Sequence, residues 1–390
     1  MKSQPVEGVK PALLSWARES IGFSVDDVAL KMKRSVDEIL EWESGISAPS
    51  YPQLEKLAYQ LYKRPLAVFF LPEPPNEISP KKEFRSLPDS DLDNLKPDTY
   101  MHVRKGHAYQ ISLKEVFNNS NPADSKLWQE VALNLDRSVV EQSRRIRNAL
   151  NISIENQSAI RSDEEALKTW RASIEAKGVF IFKESFKQKD ISGFCLSDDE
   201  FPIIYLNNTT TKTRQIFSLF HELAHILLNT KSLSKFEHGY FNQLPPNAQR
   251  IEVFCNAIAA EVLIPKSDFE SFTANLPFNI EAVSDDEIER IAARYSVSRE
   301  SILRKFLDQD RVSSSHYKEK SEMWANQRKG GSGGNWYASA NAYLSSTFAR
   351  EVLSQHYKHN LSIDKASDLL GIKAKNFSGL EQRILQGTSA

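Results

Sequence analysis

One apolar segment that carries two histidines and a glutamate constrains this chain more than any other. Residues 217–230 read FSLFHELAHILLNT. His221 and His225 are four residues apart, so both side chains project from one face of a helix, where two imidazoles can bind one metal ion. Glu222 is placed to polarise a metal-bound water and accept its proton, because zinc lowers the pKa of such a water to about 7. The pattern predicts a zinc site for peptide-bond hydrolysis.

The residues around this motif favour a metal site over a chance match. A helix that is apolar on nearly every side is buried, and unpaired polar groups inside it would cost several kcal/mol unless a metal or a partner satisfied them. The apolar side chains that surround the motif are Ile216, Phe217, Leu219, Phe220, Leu223, Ile226, Leu227 and Leu228.

A catalytic zinc site needs a third protein ligand and an open fourth position. Residues 247–265, NAQRIEVFCNAIAAEVLIP, predict a second buried helix with two acids, Glu252 and Glu261. At 100° per residue these acids lie on opposite sides of the helix, so only one can face the zinc. We predict Glu252 as the ligand, because Asn256 follows on the same face and can hydrogen-bond a ligating group.

The spacing of these two segments resembles a known family. HELAH is followed, 27 residues after its second histidine, by E-x-x-x-N-A-x-A-A-E-x-L-x-P. Over residues 178–265 this resembles the ImmA/IrrE family of zinc metallopeptidases, which are of the gluzincin type. The resemblance implies that His221, His225 and Glu252 bind Zn²⁺ and that Glu222 is the catalytic glutamate.

The same resemblance implies a class of substrate. Members of the family are bacterial and phage proteins, and several of them cleave a helix-turn-helix transcriptional repressor. The expected substrate is therefore a helix-turn-helix repressor or an antitoxin-type regulator, in stress response, mobile-element control or phage defence.

Composition sets the outer bounds. The 390 residues suffice for two or three domains, and a hydrophobic content of 40% with 26% charged residues is typical of a soluble globular protein. No apolar run reaches the length of a membrane span, and the first ten residues lack the apolar core of a signal peptide, which predicts a cytoplasmic protein. Two cysteines, Cys195 and Cys255, imply neither a disulfide framework nor a cysteine metal site.

Residues 1–75 predict a small helical domain. Ser24 and Ser35 are predicted N-caps of two short helices joined by a brief turn, which suggests a helix-turn-helix. The residues Trp42-Glu43-Ser44-Gly45, then Pro49 and a helix with Leu54, Leu57 and Leu61, resemble the phage-repressor (XRE-type) family.

The partner of this domain stays open between DNA and protein. The second helix of such a motif enters the major groove, and phosphate contacts normally need Lys or Arg. Here that helix carries four acids, and residues 2–64 contain nine basic and nine acidic side chains. The acids are Asp37, Glu38, Glu41 and Glu43. DNA binding and recognition of a protein, such as a repressor with a similar domain, are both compatible with this sequence.

The rest of the chain divides by its helical and strand patterns. Residues 126–154 have helical spacing, and residues 285–307 resemble a second helix-turn-helix. Three strands are predicted at 179–182, 191–196 and 201–206. The predicted divisions are a helix-turn-helix domain at 1–75, a helical linker region at 76–162, a metallopeptidase domain at 163–275, a helix-turn-helix-like module at 276–310, a flexible Gly-rich segment at 311–335 and a C-terminal helical region at 336–390.

Two further expectations concern substrate binding. Residues 201–206 lead directly into the motif helix and are the candidate edge strand to which an extended substrate can pair, while packing in the core explains the segment equally well. The transition state of amide hydrolysis also needs a donor for the developing oxyanion. His238, Tyr240 and Arg214 are candidates, and the sequence favours none of them.

Together these observations predict an α+β, mostly helical multi-domain chain with a zincin-like (gluzincin) core and a small sheet, flanked by helix-turn-helix modules. The predicted function is that of a zinc endopeptidase with a protein regulator as substrate and no membrane partner. The alternative is a DNA-binding transcriptional regulator, or antitoxin-like module, whose zincin domain senses a signal without hydrolysis. A purely structural zinc is disfavoured, because structural sites normally use four protein ligands.

Overall fold

The computed structural model describes residues 4–77, 95–230, 232–235, 244–327 and 343–386. The chain forms two compact units. The smaller unit comprises Met1–Lys105 with Phe186–Gln188, and the larger comprises Gly106–Ser185 with Lys189–Ala390. The glycines of 330–334, part of the predicted flexible segment, lie outside the described residues.

The smaller unit is helical, and its sequence explains where the helices begin. Ser24 accepts a hydrogen bond from the Asp27 N–H (3.0 Å), and the Asp27 carboxylate accepts one from the Ser24 N–H (2.9 Å), which is a capping box. Its helices are α1 (Pro11–Glu19), α2 (Val25–Met32), α3 (Val36–Ser44) and α4 (Tyr51–Glu55), followed by a π-helical stretch (Lys56–Tyr62), a 3₁₀ turn (Leu66–Phe70) and the start of α5 (Pro97–Val116).

A buried ion pair joins two helices of this unit. Arg18 of α1 donates hydrogen bonds of 2.7 and 2.9 Å to the carboxylate of Glu43 in α3. The Glu43 side chain is therefore only 9% exposed. One of the four acids of the predicted recognition helix thus stabilises the interior of the unit.

The larger unit contains the only described sheet, and helices cover both of its faces. Four strands are arranged in the order β1-β3-β2-β4. β3 pairs parallel with β1 and antiparallel with β2, and β4 pairs antiparallel with β2. The strands are β1 (Phe180–Glu184), β2 (Ile191–Leu196), β3 (Ile203–Asn207) and β4 (Ser232–Lys235).

The helices of the larger unit surround this sheet and extend to the C-terminal region. Between α5 and β1 lie α6 (Leu127–Glu130), α7 (Val139–Leu150), α8 (Ile154–Ser158) and α9 (Asp163–Glu175), and α10 (Lys212–Leu227) lies between β3 and β4. After β4 come α11 (Pro246–Leu263), α12 (Lys266–Phe272), α13 (Asp285–Tyr295), α14 (Arg299–Leu307), α15 (Ser314–Gln327), α16 (Ser346–Tyr357), α17 (Ile363–Leu369), a 3₁₀ turn (Ala374–Asn376) and α18 (Phe377–Gln386).

Of the two interpretations of residues 201–206, the edge strand is wrong and packing in the core is confirmed. β3 lies between β1 and β2, and all five of its residues are buried. The segment reads FPIIYL, and a continuous apolar run is typical of a strand that is covered on both faces. An edge strand that faces water would alternate apolar and polar side chains instead.

The helical spacing predicted over residues 126–154 is interrupted. Only α6, α7 and the first residue of α8 are helical there. The segment between α6 and α7 is irregular and includes a turn at 135–136, and the Leu133 N–H donates to the carbonyl of Leu227 (3.0 Å). Leu127, Leu133 and Ile146 belong to the same buried core as α10 and α11. This region therefore packs directly on the two helices that carry the motif residues.

The fold class predicted from sequence is confirmed at the coarse level: the chain is α+β and mostly helical, with one small sheet. No helix within the described ranges is both long and apolar enough to cross a membrane.

Candidate metal centre

Two adjacent helices bring the motif residues together. α10 begins after Thr211, whose hydroxyl accepts the Arg214 N–H (3.3 Å), and it is buried along almost its whole length. α11 begins after Pro245, with Pro246 in its first turn, and packs along α10. Buried alanines on both helices allow a close approach, Ala224 on α10 and Ala259 on α11.

The predicted ligating residues converge on one point. His221, His225 and Glu252 offer ligand atoms that all lie within 4.8 Å of one another. The two Nε2 atoms are 3.2 Å apart, and each is 3.2 Å from one carboxylate oxygen of Glu252. Both histidines are buried, and the Glu252 side chain is 12% exposed.

Each histidine has a second partner on the opposite side of its ring. His221 Nδ1 lies 3.0 Å from Asn256 Oδ1, and His225 Nδ1 lies 3.0 Å from Thr230 Oγ1. An amide oxygen can only accept, so the His221 Nδ1–H donates to Asn256. This leaves the lone pair of His221 Nε2 directed toward His225 and Glu252.

These contacts fit a divalent metal ion. Two ligands that are each about 2.1 Å from a tetrahedral zinc stand about 3.4 Å apart, close to the 3.2 Å separations here. Two imidazole nitrogens and a carboxylate are ligands that zinc commonly takes, and three protein ligands leave one position open. Without a cation, nitrogen lone pairs and a carboxylate would face one another inside a buried site, which is unfavourable.

The electrostatics of the site also favour a cation. Burial alone would raise the pKa of Glu252, but His225 and His221 outweigh it and hold the pKa well below the usual range. Burial alone would lower the pKa of His221, but Glu252 outweighs it and the pKa is raised. The carboxylate is thus ionised and attracts positive charge to the point where the ligand atoms meet.

Glu222 lies next to this cluster. It is fully buried, and its charge acts on both His221 and Cys255. Burial raises the pKa of the Cys255 thiol well above its usual range, so the thiol stays protonated and is a poor ligand. Glu222 is the only acid in α10, and it directly follows His221 in the sequence.

The structure places the other sequence candidates elsewhere. Glu261, the acid that competed with Glu252, pairs with Lys305 (2.9 Å) and accepts the N–H of Lys266 (2.7 Å). Arg214 lies in the first turn of α10, two turns before His221. His238 and Tyr240 lie outside the described residues.

Thr230 is a residue that the sequence interpretation missed. It follows the end of α10, where Asn229 has a left-handed backbone (φ 54°) that turns the chain back toward the helix. Asn is among the residues that tolerate this conformation, and it often ends a helix in this way. The sequence signal that could have indicated Thr230 was therefore the Asn-Thr pair just after the motif helix, which predicts a turn of the chain back toward that helix.

Comparison with known proteins agrees with this site. No curated protein matches the chain. Residues 174–307 match the Peptidase_M78 family model, described as the IrrE N-terminal-like domain. The matched segment contains all four motif residues and supports the predicted relation to the ImmA/IrrE family. It identifies this part of the chain as a metallopeptidase-type hydrolase domain.

Proposed function

We propose that this chain is a zinc-dependent endopeptidase that cleaves a helix-turn-helix repressor or antitoxin-type regulator. The observation that carries the proposal is the convergence of His221, His225 and Glu252 within 4.8 Å, inside the segment that matches a peptidase family model. The substrate class comes from the family resemblance alone.

The ligand residues have distinct binding roles in this proposal. His221 and His225 would bind the metal through Nε2, and Glu252 through its carboxylate. Bound zinc supplies a Lewis acid that lowers the pKa of water and polarises the scissile carbonyl. The buried helices around the site exclude bulk water, which strengthens every electrostatic interaction within it.

Glu222 is the proposed general base. Its carboxylate takes a proton from the attacking water and then gives that proton to the nitrogen of the leaving amine. The carboxylate is completely buried and directly follows His221 on α10. The adjacent position of His221 keeps the base close to the place where the water is activated.

An extended substrate has a candidate docking strand in β4. Among the described strands, β1 and β4 lie at the two edges of the sheet, and β4 is the one that begins two residues after Thr230. A substrate strand can add to a sheet edge through backbone hydrogen bonds. We therefore propose β4, in place of the interior β3, as the strand that aligns the scissile bond.

The test compares the wild type with Glu222→Gln. Each protein is purified for zinc analysis and is also expressed together with a helix-turn-helix repressor encoded beside its gene. We expect both proteins to bind one zinc ion and only the wild type to cleave, with a rate loss of about 10²- to 10⁴-fold in the variant. Glu270→Gln, a change of an exposed acid on α12, is the matched control and should cleave normally.

Two outcomes would contradict the proposal. Equal cleavage by the wild type and Glu222→Gln would remove Glu222 as the base. Zinc binding without cleavage by either protein, together with a shift of DNA fragments by the wild type, would favour the alternative of a DNA-binding regulator with a non-hydrolytic zincin domain.

A further inference from the structure

The hydroxyl of Thr230 makes two contacts with the same histidine. Its oxygen lies 3.0 Å from Nδ1 of the His225 ring and 3.1 Å from the His225 carbonyl oxygen. The backbone N–H of Thr230 donates to the same carbonyl (2.9 Å). The residue therefore contacts both the side chain and the backbone of one predicted ligand.

A hydroxyl has one proton, and that decides the direction of these contacts. A carbonyl oxygen cannot donate, so the contact with the His225 carbonyl uses the hydroxyl proton of Thr230. The oxygen of Thr230 is then an acceptor for the His225 ring, and Nδ1 must carry the ring proton. The Nε2 atom of His225 is left with a lone pair that faces His221 and Glu252.

The position of Thr230 is fixed from the sheet as well. The Ser197 hydroxyl donates to the carbonyl of Thr230 (3.0 Å). Ser197 directly follows β2, so the chain after α10 is tied to the sheet at one point and to the helix at another. The hydroxyl of Thr230 is therefore held in place independently of any metal ion.

We propose that Thr230 is the positioning residue for His225: it fixes the ring orientation and the Nδ1–H form, so that Nε2 is ready to bind a metal. Asn256 makes the corresponding contact with His221, but from α11, the helix that carries Glu252. Each histidine is thus oriented by a different element. This inference deepens the proposed zinc site and rests on it for the identity of the ligand.

The test uses one isosteric change, one conservative change and one matched control in the full chain. Thr230→Val removes the hydroxyl and keeps the shape, while Thr230→Ser keeps the hydroxyl. Thr273→Val is the control, because Thr273 is buried and its hydroxyl donates to the Phe269 carbonyl (2.7 Å) at the end of α12. Thr273→Val therefore shows how much zinc binding changes when a buried threonine away from the site loses its hydrogen bond.

Two quantities are measured for each protein. The first is the zinc dissociation constant, obtained by competition with a chelator. The second is the tautomer of His225 in the metal-free protein, read from ring ¹⁵N chemical shifts at a pH well above the range in which imidazoles titrate. We expect Thr230→Val to weaken zinc binding about 10- to 100-fold, the usual effect of losing such a support, and to lose the Nδ1–H form. Thr230→Ser and Thr273→Val should stay close to the wild type in both measurements.

The outcomes separate this inference from the proposed function. Unchanged zinc affinity and an unchanged tautomer in Thr230→Val would overturn the positioning role, and so would an equal loss of affinity in Thr273→Val. If the wild type itself binds no zinc, the proposed function fails. The tautomer of His225 in the wild type and in Thr230→Val then still decides whether Thr230 orients the ring.

Discussion

A lysine lies almost completely buried in the sheet that packs against α10, the helix of His221 and His225. Lys183 in β1 is 3% exposed and pairs in register with Leu206 of β3. Burial, helped by the nearby charges of Arg171 and Lys212 and opposed by Glu164, lowers its pKa to about 6. The folded protein therefore holds a lysine that loses its proton near neutral pH.

This lysine makes stability depend on pH in a direction that can be predicted. In the unfolded chain a lysine has a pKa of about 10.4, so between about pH 6 and that value the unfolded state binds a proton that the folded state lacks. The free energy of unfolding should then rise with pH across this window, by up to about 1.4 kcal/mol per pH unit.

Urea unfolding at several pH values within the window measures the effect. Lys183→Met removes the titrating group, so the variant should be more stable near pH 7 and should show a flatter dependence on pH. Lys168→Met, which changes an exposed lysine on α9, is the control and should keep the slope of the wild type. A slope that is equal in all three proteins would show that Lys183 does not titrate in the window.

α3 has an unusual surface for the recognition helix of a DNA-binding helix-turn-helix. Its sequence, VDEILEWES, contains no Lys or Arg. The exposed side chains include two apolar residues, Val36 at 37% and Leu40 at 47%, and two acids, Asp37 and Glu41. Phosphate groups would meet negative and apolar groups on this helix instead of the cations that DNA binding needs.

We therefore expect the full chain to bind DNA no more tightly than a non-specific protein, with a dissociation constant of about 10⁻⁴ to 10⁻⁶ M or weaker at physiological salt. The double change Asp37→Lys with Glu41→Lys should increase the affinity and the dependence on salt, because it places two cations on the same face. The measurement is fluorescence anisotropy with duplex DNA across a salt series. Tight, sequence-specific binding by the wild type would contradict this expectation and support the regulator alternative.

Most helices and strands near the candidate site could be predicted from the sequence, and one strand could not. The helices of the metal site and three of the strands follow from hydrophobic periodicity and from the motif, because their patterns are long and regular. β4 was missed, since Ser232–Lys235 reads SLSK and has no strand pattern of its own. It is a strand because β2 pairs with it, and pairing between distant segments is not encoded locally.

Most residues of the candidate site could likewise be predicted from the sequence, and one could not. His221, His225 and Glu252 were predictable because their spacing on two helices limits which side chains can meet. Asn256 was predicted as a support because it lies one turn from Glu252 on the same helix. Thr230 was not, since its contact depends on the reversal of the chain at Asn229, which helical periodicity does not describe.

For the molecule as a whole, the described chemistry lies in one unit. His221, His225, Glu252 and Glu222 all belong to the larger unit, and so do the supports Thr230 and Asn256. The smaller unit contributes none of the described ligand atoms. We therefore propose that, in the proposed peptidase, the smaller unit restrains the site or recognises the substrate.

Deletion of residues 1–75 tests whether they restrain the site or recognise the substrate. We expect the truncated chain to bind zinc with the affinity of the wild type, because the ligands and their supports remain. Cleavage of a short peptide that spans the scissile bond should stay within a few-fold of the wild-type rate. Cleavage of the intact protein substrate should change by about tenfold or more, which corresponds to about 1.4 kcal/mol of lost recognition or restraint.

The direction of that change identifies the role. Slower cleavage of the intact substrate, with peptide cleavage unchanged, means that residues 1–75 bind the substrate, because only binding outside the site has been removed. Faster cleavage means that they restrain the site. Equal rates on both substrates would show that residues 1–75 serve neither role. Loss of zinc binding would show instead that the larger unit needs these residues to fold, since none of them is a described ligand.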